Sequence, residues 1–417
     1  MRYDRRKGKY MSENQSGLSR REFLKAAGAA TAGSLLSARE TLGKISGSSG
    51  SHLALVPTRP FGKTGARVSI LGLGGMFDIP SNQLVLRQAL KWGVTYWDTA
   101  DCYEGGRSEE GIGSFFAKYP EARKEIFLVS KSDAREPSGM TRLLDRSLER
   151  MKTDYLDLYF LHGISGIDAL DKDTRTWVDK AKAEGKIKFF GFSTHSNMEE
   201  CMLGAAKLGW IDGIMMAYNY RTMNKAEMKE AVGACKEAGI GLTAMKTQGG
   251  WSFFSSSSAK LMDTFIEKGF TDKQAKLKAV WTNPNIATIC SQMPNITILM
   301  SNVAAALDKT SLSAGDLRLL DQYAKETASS YCAGCSNICE TALGGEVPVA
   351  TVMRYLMYYE SYGDRHRASS LPGSVNRMRP PPSPKGNCPT NYSSRPIKGD
   401  HTENTKRRSE MEAENSA

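Results

Sequence analysis

Between residues 51 and 363 the sequence lacks an excess of charge of either sign, with 36 basic and 35 acidic side chains. The net charge of +11 therefore comes from the two ends of the chain. A nucleic-acid-binding domain needs a basic face on its folded surface, so this balance argues against a nucleic-acid partner. The sequence also lacks an apolar run long enough to cross a bilayer, and we expect no transmembrane anchor.

Cysteine is sparse, because 8 in 417 residues are too few for the dense disulfide framework of a small secreted protein. Four of these cysteines are scattered along the body of the chain. We interpret them as inert thiols in buried elements or loops: Cys102, Cys201, Cys235 and Cys290. The other four lie at or after position 332, where three follow a regular spacing.

The N-terminal segment has the order of an export signal. A basic stretch and an arginine pair in SRREFLK, residues 19–25, precede a short Ala-rich apolar run. The stretch resembles the twin-arginine signal, with an ordinary basic amphipathic helix as the alternative. The resemblance implies export by the twin-arginine translocation machinery to a periplasmic or other extracytoplasmic location, after a cofactor is inserted in the cytoplasm. We assign residues 1–50 to this signal and a linker, with Met11 as an alternative start.

Apolar, β-branched runs alternate with helical patterns through the body of the chain. A hairpin is predicted at 56–72, with Lys63-Thr64-Gly65 as its turn. Helices are predicted between the strands, including one long helix at 258–281. Eight strand–helix units in about 250 residues predict an α/β protein with a (β/α)8 TIM barrel over residues 56–310. A doubly wound open sheet is the alternative, for which GLGG at 72–75 is only a weak phosphate-binding turn. The eight predicted strands are 69–73, 94–98, 126–131, 156–161, 187–192, 212–216, 240–245 and 286–290.

Four polar residues fall at or just after consecutive predicted strand ends, where a barrel of this kind carries its chemistry. Asp98, Lys131 and His162 end the second, third and fourth strands, and Tyr103 follows in a loop. Hydride delivered to a carbonyl carbon leaves charge on the oxygen, which a proton donor must meet. We predict Tyr103 as that donor and the Lys131 ammonium as the group that lowers its pKa. Asp98 then holds the lysine, and His162 orients the carbonyl.

At these residues the sequence resembles the aldo-keto reductase family. The segments that carry the resemblance are GVTYWDTADCYEGGRSEEGIG, FLVSK, DYLDLYFLHG and RPFGKTGARVSILGLGG, within roughly residues 56–310. The resemblance implies a nicotinamide cofactor, usually NADPH, across the barrel mouth, and a small carbonyl or alcohol substrate. No arginine for a 2′-phosphate is evident, so the choice between NADPH and NADH stays open.

The same resemblance implies a cofactor pocket at the ends of the later strands. Ser193 matches the family pattern, whereas Thr194, Met215 and Met245 replace its Asn, its Gln and its stacking aromatic. Methionine packs on a ring less rigidly than an aromatic does, so a non-catalytic, nucleotide-binding redox sensor on the same barrel is a second hypothesis. His195 and Trp251 are further rim candidates. The predicted cofactor residues are Ser193, Thr194, Met215, Met245, Lys246, Gln248 and Asn302.

The stretch YCAGCSNICE, residues 331–340, spaces Cys332, Cys335 and Cys339 as C-x2-C-x3-C, one thiolate short of a four-ligand site. A branch of aldo-keto reductases with a C-terminal cluster is similar here. This resemblance implies a [4Fe–4S] cluster, with Cys388 of NCPT as fourth ligand, and an electron-transfer partner. A zinc site in a stapled scaffold, a disulfide and a radical-generating cluster are the alternatives.

Two helices are predicted beyond the barrel, at 315–330 and within 347–363, in an extension that spans 315–363. In the second helix we expect Val352, Leu356 and Tyr359 to share the face that packs on the barrel. Residues 364–417 hold 7 of the 15 prolines and few apolar runs, which predicts a disordered tail. A shifted reading frame from about residue 368 is an alternative origin of this tail.

Overall fold

The computed structural model describes residues 2–4, 9–11, 54–248, 256–328, 331–344 and 347–360. Two short strands near the N-terminus, Arg2–Asp4 and Lys9–Met11, pair antiparallel. The predicted hairpin is confirmed, since Thr58–Pro60 pairs with Arg67–Ser69 around the predicted turn. The rest of the predicted signal, Trp251, Cys388 and the predicted tail lie outside the described residues.

Eight parallel strands form a closed barrel in which the last strand pairs with the first. The prediction of a (β/α)8 barrel is confirmed, and this closure excludes the open doubly wound sheet. The strands are β1 (Leu71–Gly74), β2 (Tyr96–Asp98), β3 (Phe127–Ser132), β4 (Leu156–Ile164), β5 (Ile187–Thr194), β6 (Gly213–Ala217), β7 (Gly241–Met245) and β8 (Ile286–Gln292).

Helices surround the barrel and continue beyond it. Those of the barrel region are α1 (Gln83–Lys91), α2 (Arg107–Lys118), α3 (Ala122–Glu125), α4 (Pro137–Met151), α5 (Lys172–Ala183), α6 (Met198–Leu208), α7 (Ala226–Glu237), α8 (Ser256–Glu267), α9 (Asp272–Trp281) and α10 (Ile296–Leu307). Those beyond it are α11 (Ala314–Glu326), α12 (Ser336–Cys339) and α13 (Val349–Glu360). Short 3-10 turns occupy Pro80–Asn82, Tyr103–Gly106, Ile167–Ala169 and Thr341–Leu343.

The single helix predicted at 258–281 is wrong, because the chain breaks between α8 and α9. Gly269 adopts a left-handed φ of 84° after the end of α8. Thr271 then caps α9 through a reciprocal capping box with Gln274. Two helices of ordinary length therefore replace one long one.

The N-terminal end of the barrel is closed by the hairpin. Phe61 is fully buried in the barrel interior, with Val68, Tyr96 and Phe127 in the same cluster. A Cβ atom on Gly241 would lie 2.4 Å from the Phe61 ring, so only glycine fits at the start of β7. The opposite end of the barrel is thus the end available for chemistry.

The C-terminal extension, which we define as the described residues from 331 to 360, lies against the C-terminal rim of the barrel. Helix α13 buries Ala350, Met357 and Tyr358, while Tyr359 is 49% exposed. The predicted packing face was therefore wrong in part. On the buried face, Tyr358 accepts a hydrogen bond from the Lys246 ammonium at the rim. Among the described residues, we find no helix with the length and apolar character needed to span a membrane.

Candidate active site

Three neighbouring strands bring the predicted catalytic residues to one rim. Asp98 is the last residue of β2, Lys131 is the penultimate residue of β3, and His162 lies two residues before the end of β4. Strand β3 pairs with both β2 and β4. Tyr103 begins the 3-10 turn that follows β2, which returns its hydroxyl to the same rim.

The Lys131 ammonium is the centre of this group. It donates to Asp98 Oδ1 at 2.7 Å, to the Thr99 carbonyl at 2.7 Å and to the Tyr103 hydroxyl at 3.4 Å. The lysine side chain is only 1% exposed. A buried ammonium needs a charge partner and further acceptors, and these three groups supply them. The Thr99 carbonyl was not predicted from the sequence.

Burial and the ion pair shift the pKa values of Asp98 and Lys131 in opposite directions. Burial raises the pKa of Asp98, while the Lys131 ammonium lowers it. Burial is the largest single influence on Lys131 and lowers its pKa, but its neighbours together, with Asp98 first, outweigh burial, so that pKa is raised. The nearby Cys290 thiol also lowers the pKa of Asp98, and burial raises the pKa of that thiol. The lysine is therefore held in its charged form.

The prediction that Lys131 lowers the pKa of Tyr103 is right in direction for the lysine but wrong for the net pKa, which is raised. Burial raises this pKa well above its usual value, and the Lys131 ammonium opposes that shift without overcoming it. Tyr103 is consequently protonated at neutral pH. In this state it is a proton donor beside a cation that would stabilise its phenolate.

His162 is a neutral imidazole beside the tyrosine. Burial, with the positive charges of Lys131 and Arg135 as further causes, lowers its pKa to about 3. Its ring lies 5.9 Å from the Tyr103 ring, edge to face. The Cys102 thiol lies 3.8 Å from Nδ1, and burial raises the pKa of this thiol to about 11. Either atom of this contact can donate; with the thiol as donor to Nδ1, the ring proton lies on Nε2.

The scattered cysteines lie in buried elements or in a loop, as predicted. Cys201 and Cys235 are buried. Cys102 lies in the loop between β2 and the 3-10 turn at the open rim, where the residue as a whole is exposed while its thiol is close enough to neighbouring protein atoms for desolvation to raise its pKa. Cys290 lies in β8, against the buried Asp98.

The predicted cofactor residues on the fifth to seventh strands are engaged to different degrees. The Ser193 hydroxyl accepts from the Gly163 backbone N–H at 3.0 Å. The Thr194 hydroxyl donates to the Ser196 carbonyl at 2.8 Å, so it stabilises the turn that follows β5. Met215 is 2% exposed inside the barrel, and Met245 packs on the same interior cluster.

Gln248 and Asn302 both hydrogen-bond to Ser291, a residue that was not predicted from the sequence. Gln248 donates to Asn302 Oδ1 at 3.0 Å, and Asn302 donates to the Ser291 hydroxyl at 3.1 Å. The Ser291 hydroxyl donates back to Gln248 at 2.9 Å. This closed set fixes the chain after β7 against β8 and α10. A hydroxyl one residue before the end of β8 was the only sequence signal.

The donor chemistry of these residues fits an anionic dinucleotide. None of the seven predicted residues is acidic, and Lys246 adds a positive charge immediately after β7. His195, directly after β5, keeps its Nδ1 buried without a hydrogen-bond partner in the described part of the chain. Ser193, Lys246, Gln248 and Asn302 are thus the residues that would hold such a cofactor at the rim.

The cysteine stretch packs on the rim without forming a ligand set. Asn197 binds it on two sides, donating its N–H to the Gly334 carbonyl and accepting from Ser336. Cys335 precedes α12 and Cys339 ends it. Across the ranges that the structure describes, no group of three His, Cys, Asp or Glu side chains could hold a metal ion. The described residues therefore do not fit the predicted cluster, whose proposed fourth ligand lies outside them.

The closed barrel and the buried Asp98–Lys131–Tyr103 group at its rim define a barrel oxidoreductase. The chain belongs to the aldo/keto reductase family, whose model matches residues 71–316. It is therefore an NAD(P)H-dependent oxidoreductase of that family.

Named relatives and a solved structure agree with this assignment. The aldo-keto reductase yakc [NADP(+)] of Schizosaccharomyces pombe is 30% identical over 237 residues, 52% of this chain and 68% of that protein. L-galactose dehydrogenase of Arabidopsis thaliana is 24% identical over 62% of this chain and 90% of that protein. A solved aldo-keto reductase from Bacillus halodurans, in its holo form, has a TM-score of 0.55 and 23% identity. The match covers 64% of this chain and 96% of the solved chain. At this identity the similarity supports the fold and nothing further.

Proposed function

We propose that this protein reduces the carbonyl group of a small molecule with NADPH, or oxidises the corresponding alcohol, with Tyr103 as general acid and base. One observation carries the proposal: the Lys131 ammonium contacts both Asp98 and the Tyr103 hydroxyl. The relative from Schizosaccharomyces pombe is named as an NADP(+) enzyme, which supports the choice of nucleotide. A methylglyoxal reductase of Escherichia coli, 36% identical over 119 residues, 28% of this chain and 40% of that protein, supports a small carbonyl substrate.

Each rim residue has a defined part in this reaction. The nicotinamide supplies the hydride when it is bound. Tyr103 transfers its hydroxyl proton to the carbonyl oxygen, and solvent later restores that proton. The Lys131 ammonium stabilises the phenolate that remains, and Asp98 keeps the lysine charged and in place. His162 donates from Nε2 to orient the carbonyl oxygen.

Substitution of Tyr103 by phenylalanine tests the proposal. Without the hydroxyl, we expect kcat/KM for a panel of aldehydes and ketones to fall by at least about 10²-fold, the lower range for general acid catalysis. NADPH binding, followed by fluorescence, should remain. Tyr119→Phe, at the end of α2, is the matched control. Unchanged reduction by the Tyr103 variant would rule out this acid.

A non-catalytic nucleotide-binding sensor is the second candidate function. It is favoured by Met215 and Met245, which the sequence places where the family has polar and aromatic cofactor contacts. Saturable NADPH binding with no turnover of any carbonyl in the panel would support the sensor. Turnover that depends on Tyr103 would eliminate it.

The export route and the cluster remain separate hypotheses. We propose that residues 19–25 direct export through the twin-arginine machinery, supported by the S-R-R-x-F-L-K pattern. Export of a reporter fused to residues 1–50 should stop when Arg20 and Arg21 are both replaced by lysine. The cluster, and with it an electron-transfer partner, rests on cysteine spacing alone. Iron and zinc contents of anaerobically purified protein decide it, and absence of both metals would reject every metal site at these cysteines.

A further inference from the structure

The turn that begins with Tyr103 has a strained backbone. The three residues that follow the tyrosine, Glu104, Gly105 and Gly106, have left-handed φ angles of 52°, 65° and 100°. This conformation is unfavourable for Glu104, which carries a side chain. The Tyr103 and Gly105 N–H groups donate only to carbonyls three residues earlier, so these bonds are local. A turn of this kind keeps its shape when the surrounding structure holds it.

Arg150, on α4, contacts this turn on both sides of the tyrosine. Its Nη1 donates to the Asp101 carbonyl at 2.9 Å, two residues before Tyr103. Its guanidinium also lies against Gly106, where an added Cβ atom would be only 2.5 Å from Cζ. Gly106 is buried, so a larger residue there would displace the arginine. One side chain thus supports the chain before and after Tyr103.

A buried carboxylate holds the guanidinium in this position. Glu109, in the first turn of α2, is fully buried, and its Oε2 accepts from Arg150 Nη1 at 3.2 Å. Its Oε1 accepts from the Ser130 hydroxyl at 2.6 Å. Ser130 precedes Lys131 in β3, and the Lys131 carbonyl accepts the Asp101 N–H at 3.0 Å. These contacts join the strand of the catalytic lysine to the turn of the catalytic tyrosine.

The contact between Tyr103 and Lys131 depends on the position of this turn. At 3.4 Å it is the longest of the three hydrogen bonds that the ammonium donates. A shift of the turn by about 1 Å would separate the two groups beyond hydrogen-bond range. Misplacement by about 1 Å costs an enzyme up to about 10²-fold in rate. A residue that fixes the turn therefore affects the reaction without touching the reacting atoms.

We propose that Arg150 is a positioning residue for carbonyl reduction, which fixes the turn after β2 so that the Tyr103 hydroxyl meets the Lys131 ammonium. Glu109 supports this role because it orients the guanidinium. The inference rests on the proposed function, in which Tyr103 is the acid, and adds to it the residue that places this acid.

A double-mutant cycle between Arg150 and Tyr103 tests the inference. Arg150→Met, Tyr103→Phe and their combination are assayed as full chains with NADPH and the best-reduced aldehyde of the panel, beginning with 4-nitrobenzaldehyde. We expect Arg150→Met alone to lower kcat/KM by about 10- to 100-fold, with unchanged NADPH affinity. In the Tyr103→Phe background it should lower kcat/KM by less than about threefold, because the misplaced hydroxyl is already gone. Arg142→Met, at an exposed site on α4, is the matched control.

Two further variants separate the positioning role from a loss of folding. Arg150→Met leaves Glu109 charged and buried without its partner, which strongly destabilises a protein. If this variant does not fold, Arg150→Met combined with Glu109→Gln replaces both charges and takes its place in the cycle. Arg150→Lys keeps a charge for Glu109 and should recover part of kcat/KM.

The outcomes distinguish this inference from the proposed function. Equal losses from Arg150→Met in both backgrounds would indicate a general effect on the fold and overturn the positioning role. No loss in the Tyr103 background, or a loss explained by weaker NADPH binding, would overturn it as well. If Tyr103→Phe alone leaves reduction unchanged, or the unmodified protein reduces no carbonyl of the panel, the proposed function fails and this inference fails with it.

Discussion

Asp98 and Lys131 form a buried ion pair whose two charges depend on each other. Their side chains are 3% and 1% exposed, so neither charge has water to replace its partner. Asp98→Asn should lower both stability and activity, because it leaves an ammonium in a buried site. We expect a loss of about 3–5 kcal/mol in the free energy of unfolding, measured by urea denaturation. A loss comparable to that of an exposed pair such as Lys124–Glu121 would contradict this account.

The protonation of Tyr103 predicts how reduction depends on pH. Burial holds its pKa well above the usual value, so the donor proton is present at neutral pH and is retained as pH rises. We therefore expect kcat/KM for reduction to show no loss from Tyr103 between about pH 7 and pH 10. An alkaline limb near pH 8 that Tyr103→Phe removes would disagree with the structure.

His162 makes the stability of the protein depend on pH, on the acidic side. Its pKa falls from the usual 6.5 to about 3 in the folded protein, so the folded state favours the neutral ring. Its contribution to stability is complete above pH 6.5 and is lost as pH falls toward 3, because the unfolded chain then binds a proton that the folded chain does not. His162→Gln should flatten the decline in unfolding free energy across this window. Thermal unfolding at a series of pH values measures it, and an unchanged slope would argue against a neutral buried ring.

At the scale of elements, the hairpin and the barrel meet at Gly241. A Cβ atom there would approach the Phe61 ring to 2.4 Å, and the buried ring has little room to move. Gly241→Ala should therefore destabilise the protein by about 1–3 kcal/mol, the usual cost of overpacking. Urea denaturation measures the change. Gly233→Ala on α7 is the control, since nothing lies within 4 Å of its added carbon and alanine favours a helix.

The strands were predictable because buried parallel strands are continuous apolar runs, and all eight appear within a few residues of their predicted positions. The break between α8 and α9 was missed, since an apolar pattern continues across Gly269. The rim residues Asp98, Lys131 and His162 followed from strand ends. The contribution of Ser291 did not, because it depends on contacts between distant segments.

At the scale of the whole molecule, Arg221 fastens the segment that leads into the extension. Its guanidinium donates to the Ala324 carbonyl and the Thr327 hydroxyl, and it lies 5.3 Å from the Tyr331 ring. Arg221→Met should loosen residues 331–360 while the barrel stays folded. We expect faster cleavage of this segment in limited proteolysis, at an unchanged far-ultraviolet circular dichroism spectrum. Arg318→Met is the control, and equal cleavage of both variants would exclude this role.

Closure of the barrel by Phe61 has a consequence for ligand traffic. With the N-terminal end filled by the hairpin, a molecule that reaches Tyr103 enters from the opposite rim and leaves by it. The C-terminal extension covers part of that rim. The extension, which takes no part in forming the barrel, then affects the rates at which substrate arrives and product departs. A change in the extension could therefore change turnover while the catalytic group stays the same.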